Sequence, residues 1–153
     1  MAGFSVSRSP QAPVLEDISK TTRFGLIALA TDMTSEGDFR RLLPQDCAVH
    51  VSRVAYANPT TPENLALMAP KLTEASALIV PDIPLAAICY SCTAASATIG
   101  DAKIAQSIHA ARPGVPIVTP TAAARSAFEA LGVSRIAILT PYLPEASQSV
   151  GDF

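Results

Sequence analysis

The chain has 153 residues, of which 49% are hydrophobic and 16% are charged, and its formal net charge is -2. This length and apolarity allow one well-buried core and exclude an intrinsically disordered protein. There is no basic cluster, so we expect no nucleic-acid partner.

No segment has the pattern of a membrane span or a secretory signal. The most apolar stretch, residues 75–89, is interrupted by Pro81, Asp82 and Pro84, and the amino terminus lacks an unbroken apolar run. The three cysteines, Cys47, Cys89 and Cys92, are an odd number without a regular framework. Such usage is typical of reduced thiols, and we expect a cytoplasmic protein with no membrane association.

The predicted elements alternate along the chain. Residues 1–20 have no apolar period and are expected to form a flexible tail. Short apolar runs predict buried strands at 24–30, 47–56, 85–91, 115–118 and 135–140. Helical spacing predicts helices between them: one ending at Pro44, one capped by Thr61-Pro62 and kinked at Pro70, one marked by Ile99, Ile104 and Ile108, and one running from Thr119-Pro120 to Gly132.

This alternation predicts an α/β fold, a parallel sheet with helices on both faces. Sites in such sheets lie at the carboxyl ends of the strands, where three polar segments occur: Thr31-Asp32, Ser91-Cys92-Thr93 and Thr140-Pro141-Tyr142. Residues 23–29 also weakly resemble residues 135–141. We therefore expect one domain over 21–132 and a second α/β unit that begins at 133 and is cut off at 153.

Cys92 is the candidate catalytic residue, because it lies where a buried strand gives way to small residues that enter a helix. Unpaired amide groups at a helix start favour anions, so they would stabilise a thiolate and hold a substrate carboxylate together with the Thr93 hydroxyl. The alternative is that Cys92 is simply a small buried hydrophobic residue.

Other readings of these residues stay open. Asp32 alone is typical of a turn, and Tyr142 is either a half-buried aromatic or a phenol that donates to a carboxylate. Cys89 and Cys92 form a C-x-x-C pair, but Cys89 lies inside the strand, which favours packing over redox chemistry. The only histidines, His50 and His109, lack paired ligand spacing, and no glycine-rich phosphate loop occurs, so we expect neither a metal nor a nucleotide cofactor.

The segments 24–36, 90–96 and 136–142 resemble successive motifs of the aspartate/glutamate racemase superfamily, in its maleate cis–trans isomerase and arylmalonate decarboxylase branch. The first segment is most similar to the ectoine-utilisation proteins of the EutA type. The resemblance covers about residues 23–150 and implies a cofactor-independent enzyme of two similar domains with a cysteine from each at the site.

By this resemblance, Cys92 and Tyr142 are the catalytic residues, and Thr31, Asp32, Thr93 and Ala94 bind substrate. Ala94 replaces the serine that commonly follows Cys-Thr in the family, which removes one hydroxyl from the carboxylate site. The second cysteine has no candidate, and a second domain needs roughly another hundred residues. We expect a small carboxylate substrate, a homo-oligomer, and little activity in this chain by itself. A noncatalytic carboxylate-binding module and a C-x-x-C redox protein are the alternatives.

Overall fold

A computed structural model describes residues 3–153 and shows a four-stranded parallel sheet with the strand order β2-β1-β3-β4. The strands are β1 (Thr22–Leu29), β2 (Cys47–Val54), β3 (Ala87–Tyr90) and β4 (Ile117–Val118). The helices are α1 (Ser35–Leu42), α2 (Pro62–Ala66), α3 (Leu72–Ala77), α4 (Thr93–Ile99), α5 (Asp101–His109), α6 (Pro120–Leu131) and α7 (Pro144–Gly151). The predicted α/β fold with a parallel sheet is confirmed.

Strand β1 is the centre of the sheet. All eight of its residues pair with β2, from Thr22 opposite Cys47 to Leu29 opposite Val54, and four pair with β3. Its middle, Gly25 to Ala28, is buried, as the continuous apolar run predicts. Glycine is needed at position 25, because a Cβ there would lie 2.9 Å from Cγ1 of Ile88.

The helix boundaries follow the predicted signals. The side chains of Thr61 and Thr119 accept hydrogen bonds from the amides of Asn64 and Ala122, which caps α2 and α6. Helix α6 ends at Gly132, whose φ of 64° is left-handed. The predicted kink at Pro70 is a short 3-10 helix, Ala69–Lys71, between α2 and α3. The predicted core stripe is fully buried there: Leu65, Met68, Leu72 and Ala75.

Several predicted boundaries are wrong. The strand predicted over Arg135–Thr140 does not form, because none of the described strands lies beside it to complete a ladder, and its Leu139 is 99% exposed. The strand predicted to reach Tyr56 ends at Val54. The helix expected around Ile99, Ile104 and Ile108 is split into α4 and α5 at Gly100, where φ is 86°.

The ends of the described chain carry less regular structure. Residues 3–17 are exposed and belong to no helix or strand, and a 3-10 helix, Ile18–Lys20, leads into β1. Their flexibility, and the domain boundary at 132, stay predictions. No helix within residues 3–153 is long and apolar enough to cross a membrane.

The connections place a crevice beside β1. The chain leaves β1 for β2 on one side and then crosses to β3 on the other, so right-handed connections put α1 on the face opposite α2 and α3. Strands β1 and β3 are therefore neighbours, and the chain leaves β1 towards one edge of the sheet and leaves β3 towards the other edge. Open α/β sheets bind ligands at such a point, outside the carboxyl ends of the strands.

Candidate active site

A cavity of about 230 Å³ lies at the carboxyl ends of the strands. The structure brings four of the predicted site residues into its wall: Cys92, Thr93, Ala94 and Tyr142. The remaining wall consists of Leu29, Tyr56, Thr60, Leu65 and Ser91. Thr31 is exposed, and neither Thr31 nor Asp32 belongs to this wall. The cavity is thus lined by hydroxyls, one thiol and apolar groups, with no charged side chain among them.

A larger cavity, of about 420 Å³, opens at the other end of β3 and β4, between residues 82–85 and 111–116. Its cationic side chain, Arg112, donates to the carbonyl oxygens of Val80 and Ile83 at 3.4 and 3.0 Å. Because that guanidinium braces a loop and the wall holds no nucleophile, this cavity is not the candidate active site.

Cys92 is the residue that caps α4, with extended backbone angles and a carbonyl that accepts from the Ser96 amide at 2.9 Å. This confirms its predicted place at the start of a helix. Cys92 is only 9% exposed, and burial raises the pKa of its thiol. The nearby Ala95 amide and Tyr90 hydroxyl oppose that shift, while the negative charge of Asp32 adds to it. Burial of the thiol therefore works against the stabilised thiolate that the sequence predicts.

Tyr142 reaches the cavity from the segment that precedes α7. Its backbone carbonyl accepts a hydrogen bond from the Ser147 hydroxyl at 3.3 Å, and α7 packs on α4. These contacts fix the backbone from which the phenol extends into the cavity. Burial raises the pKa of Tyr142, and the neighbouring Cys92 raises it further. The phenol is consequently a neutral hydrogen-bond donor at neutral pH.

Asp32 forms the turn between β1 and α1. Its Oδ1 accepts from the amides of Thr34 and Ser35 at 2.8 and 2.9 Å, and its Oδ2 accepts from the Ser35 hydroxyl at 2.5 Å. Burial would raise the pKa of this carboxyl, but those hydrogen bonds and the charge of Arg53 hold it below its usual range. This geometry fits the interpretation of Asp32 as a turn residue. Asp32 could contact a substrate in the cavity only indirectly.

The remaining cysteines and histidines lie apart from the cavity wall. Cys89 is in β3, where burial raises its pKa to about 11, and Cys47 begins the edge strand β2. All three thiols are free. His50 lies in β2, and His109 hydrogen-bonds the Val115 carbonyl at 2.8 Å. Across residues 3–153, no group of three or more His, Cys, Asp or Glu side chains is arranged to hold a metal ion.

Sequence reasoning missed two polar residues of the cavity, Tyr56 and Thr60. Both belong to the segment between β2 and α2, whereas the sequence predicts that the strand continues to Tyr56. The signal that would have found Tyr56 is the rule that singled out Cys92, namely a polar side chain just past the end of a parallel strand.

No family model and no curated protein matches this chain. Solved structures do. The maleate isomerase Iso from Pseudomonas putida S16 matches with a TM-score of 0.72 and 23% identity, over 87% of this chain and 58% of that chain. The fold is that of the maleate isomerases.

Two further structures show the same likeness. A Nocardia farcinica maleate cis–trans isomerase variant with a covalently bound succinylcysteine intermediate matches with a TM-score of 0.72 and 22% identity, over 85% of this chain and 57% of that chain. Unliganded arylmalonate decarboxylase matches with a TM-score of 0.56 and 22% identity, over 87% and 56%. This chain thus spans less than three fifths of the length of these structures.

Proposed function

We propose that this chain forms one half of a cofactor-independent isomerase, racemase or decarboxylase that acts at the carbon next to a carboxylate. The observation that carries the proposal is the cavity that holds Cys92, Thr93 and Tyr142 at the carboxyl ends of β1 and β3. The likeness to maleate isomerases and arylmalonate decarboxylase in fold supports it. No metal or nucleotide has a role in this proposal.

The donors of the cavity suit a carboxylate. The hydroxyl of Thr93 and the phenol of Tyr142 each have a proton to give, and the amides at the start of α4 lie beside them. Such fixed donors stabilise the extra negative charge that develops on a carboxylate when the neighbouring carbon becomes a carbanion. Ala94 has no hydroxyl, so the backbone amides would provide more of this charge stabilisation.

Cys92 would act as the proton donor. Because burial raises its pKa, the thiol is protonated at neutral pH and can deliver its proton to a carbanion. Inverting a stereocentre also requires a base on the opposite face of the carbon, and the cavity wall supplies no other thiol. We propose that this second group comes from a further α/β unit, whose beginning is the segment from residue 133.

The surroundings of that segment support a partner. Large apolar side chains are exposed on it, including Ile136, Ile138, Leu139 and Leu143. Exposed apolar patches of this kind are typical of surfaces that another domain or another copy covers. We propose a homo-oligomer or a two-unit protein, located in the cytoplasm as the three free thiols suit. Participation in ectoine or hydroxyectoine breakdown is the pathway that the sequence resemblance favours.

A noncatalytic carboxylate-binding module is the second candidate, and two observations favour it: the thiol of Cys92 is hard to ionise, and Ala94 lacks a hydroxyl. Deuterium incorporation at the α-carbon of small chiral acids in D2O separates the two. The assay compares this chain with a longer protein that adds a second α/β unit carrying a cysteine, each with Cys92 and with Cys92→Ser.

We expect exchange only in the longer protein and its loss on Cys92→Ser. Equal exchange by the 153-residue chain contradicts the two-group account. Exchange that survives Cys92→Ser removes Cys92 from the chemistry. Carboxylate binding without exchange in either protein supports the binding module.

A further inference from the structure

A line of hydroxyls joins the Asp32 carboxylate to the wall of the cavity. The Ser35 hydroxyl lies 2.5 Å from Oδ2 of Asp32 and 2.9 Å from the Ser91 hydroxyl. Ser91 in turn lines the cavity next to Cys92. Asp32, which does not touch the cavity itself, is therefore connected to it through two side chains.

The direction of these hydrogen bonds is fixed by the carboxylate. The pKa of Asp32 lies below its usual range, so the group is ionised at neutral pH and can only accept. A serine hydroxyl has one proton. Ser35 must give its proton to Asp32, and Ser91 must give its proton to Ser35. The Ser91 oxygen is left with lone pairs alone and can only accept a hydrogen bond from a ligand in the cavity.

A second line of hydroxyls has the same polarity. The phenol of Tyr56 donates to Oδ1 of Asn58 at 2.9 Å, and the Thr60 hydroxyl is hydrogen-bonded to the same phenol. Since the phenol proton is used by Asn58, the proton of Thr60 is directed to the Tyr56 oxygen. Tyr56 and Thr60 both line the cavity, and neither has a proton left for a ligand.

The hydroxyls that line the cavity are therefore of two kinds. Those of Thr93 and Tyr142 can donate, whereas those of Ser91, Tyr56 and Thr60 can only accept. A carboxylate oxygen that meets an accepting hydroxyl finds no donor there, so a ligand without an O–H or N–H group leaves that hydroxyl unpaired. Buried polar groups without partners are costly, and a site built for a donor rejects a ligand that lacks one.

We infer that this cavity selects small carboxylic acids that carry an O–H or N–H donor near the carboxylate, that is, 2-hydroxy or 2-amino acids. This inference rests on the proposed carboxylate site and specifies the class of its ligand. Ser91 is the residue that sets the preference, because the ionised Asp32 fixes the direction of its hydrogen bond through Ser35.

Titration calorimetry with matched acids tests this inference. Malate and 2-methylsuccinate have nearly the same size and charge and differ in a hydroxyl against a methyl group. We expect malate to bind the native chain about tenfold more tightly, as the gain of one buried hydrogen bond predicts. Ser91→Ala should reduce this ratio to about twofold or less, whereas Ser19→Ala, at an exposed position before β1, should leave it unchanged.

The variant Asp32→Asn should reverse the direction of the hydrogen bonds through Ser35 and Ser91, which is an independent test. The amide oxygen can still accept from the Thr34 and Ser35 amides, while its N–H₂ group donates to the Ser35 hydroxyl. The line then runs the other way, Ser91 donates into the cavity, and the preference for malate should fall while the affinity for 2-methylsuccinate rises. A preference that persists in both Ser91→Ala and Asp32→Asn overturns the inference.

Binding data distinguish the loss of the donor preference from the loss of the carboxylate site. Equal binding of malate and 2-methylsuccinate to the native chain, with both weakened by Thr93→Val, refutes the donor preference and leaves the carboxylate site standing. Binding that is absent, or indifferent to Thr93→Val, removes the proposed site and the inference with it.

Discussion

Replacing Cys89 by alanine should make the stability of the protein less sensitive to alkaline pH. Cys89 lies inside β3, and burial raises its pKa from 9.0 to about 11. Between these two pH values the unfolded chain binds fewer protons than the folded chain, so the free energy of unfolding falls as pH rises. Below pH 9 both states keep the proton, and this contribution to stability is fully present.

The size of the effect follows from the shift. Two pKa units correspond to a loss of about 1.4 kcal/mol at pH 10, which we reduce to about 1 kcal/mol because Cys89 is half-buried and partly solvated. Urea denaturation under reducing conditions at pH 7.5 and pH 10 measures it. The stability advantage of the native chain over Cys89→Ala should shrink by that amount, and Cys47→Ala measures the effect of losing a thiol elsewhere.

If the difference in free energy of unfolding between the native chain and Cys89→Ala does not change with pH, this reasoning about burial is refuted.

The same samples address the redox alternative. A thiol that packs inside β3 should not pair with Cys92 in the folded state, so formation of a Cys89–Cys92 disulfide under mild oxidation without unfolding would favour the C-x-x-C redox reading over packing.

Further predictions concern the thiols and the glycines. In native protein at pH 8, iodoacetamide should label Cys47 before Cys92, because Cys92 is buried and its pKa is raised; mass mapping that finds Cys92 labelled first contradicts this environment. Gly25→Ala should destabilise the fold by about 1–3 kcal/mol in urea denaturation, because the new Cβ meets Ile88 at 2.9 Å. Gly37→Ala is the matched control: its nearest neighbour is 3.5 Å away, and alanine in α1 should stabilise by about 0.5–1 kcal/mol.

The sequence predicted what local chemistry determines. Thr61 and Thr119 cap helices, Gly132 ends one, and Pro70 interrupts another, because each of these residues acts on its immediate backbone neighbours. The place of Cys92 at the start of α4 was predicted for the same reason, since a buried strand and a run of small residues meet there.

Properties that depend on distant neighbours could not be predicted in this way. The segment Arg135–Thr140 has the pattern of a strand, but a strand also needs a partner, and the described part of the chain provides none. The protonation of Cys92 depends on how completely the surrounding helices exclude water. The link from Asp32 to the cavity passes through Ser35 and Ser91, which are 56 residues apart in the chain.

The central claim is that a small carboxylate binds beside Cys92, and protection of that thiol tests it most directly. The rate of Cys92 alkylation is followed by mass mapping as malate is added, in the native chain and in Thr93→Val. We predict saturable protection of Cys92 but not of Cys47, with about tenfold more malate needed in Thr93→Val because one hydrogen bond to a charged group is lost. If malate leaves the alkylation of Cys92 unchanged, or protects it equally well in Thr93→Val, the carboxylate site is not where this account puts it.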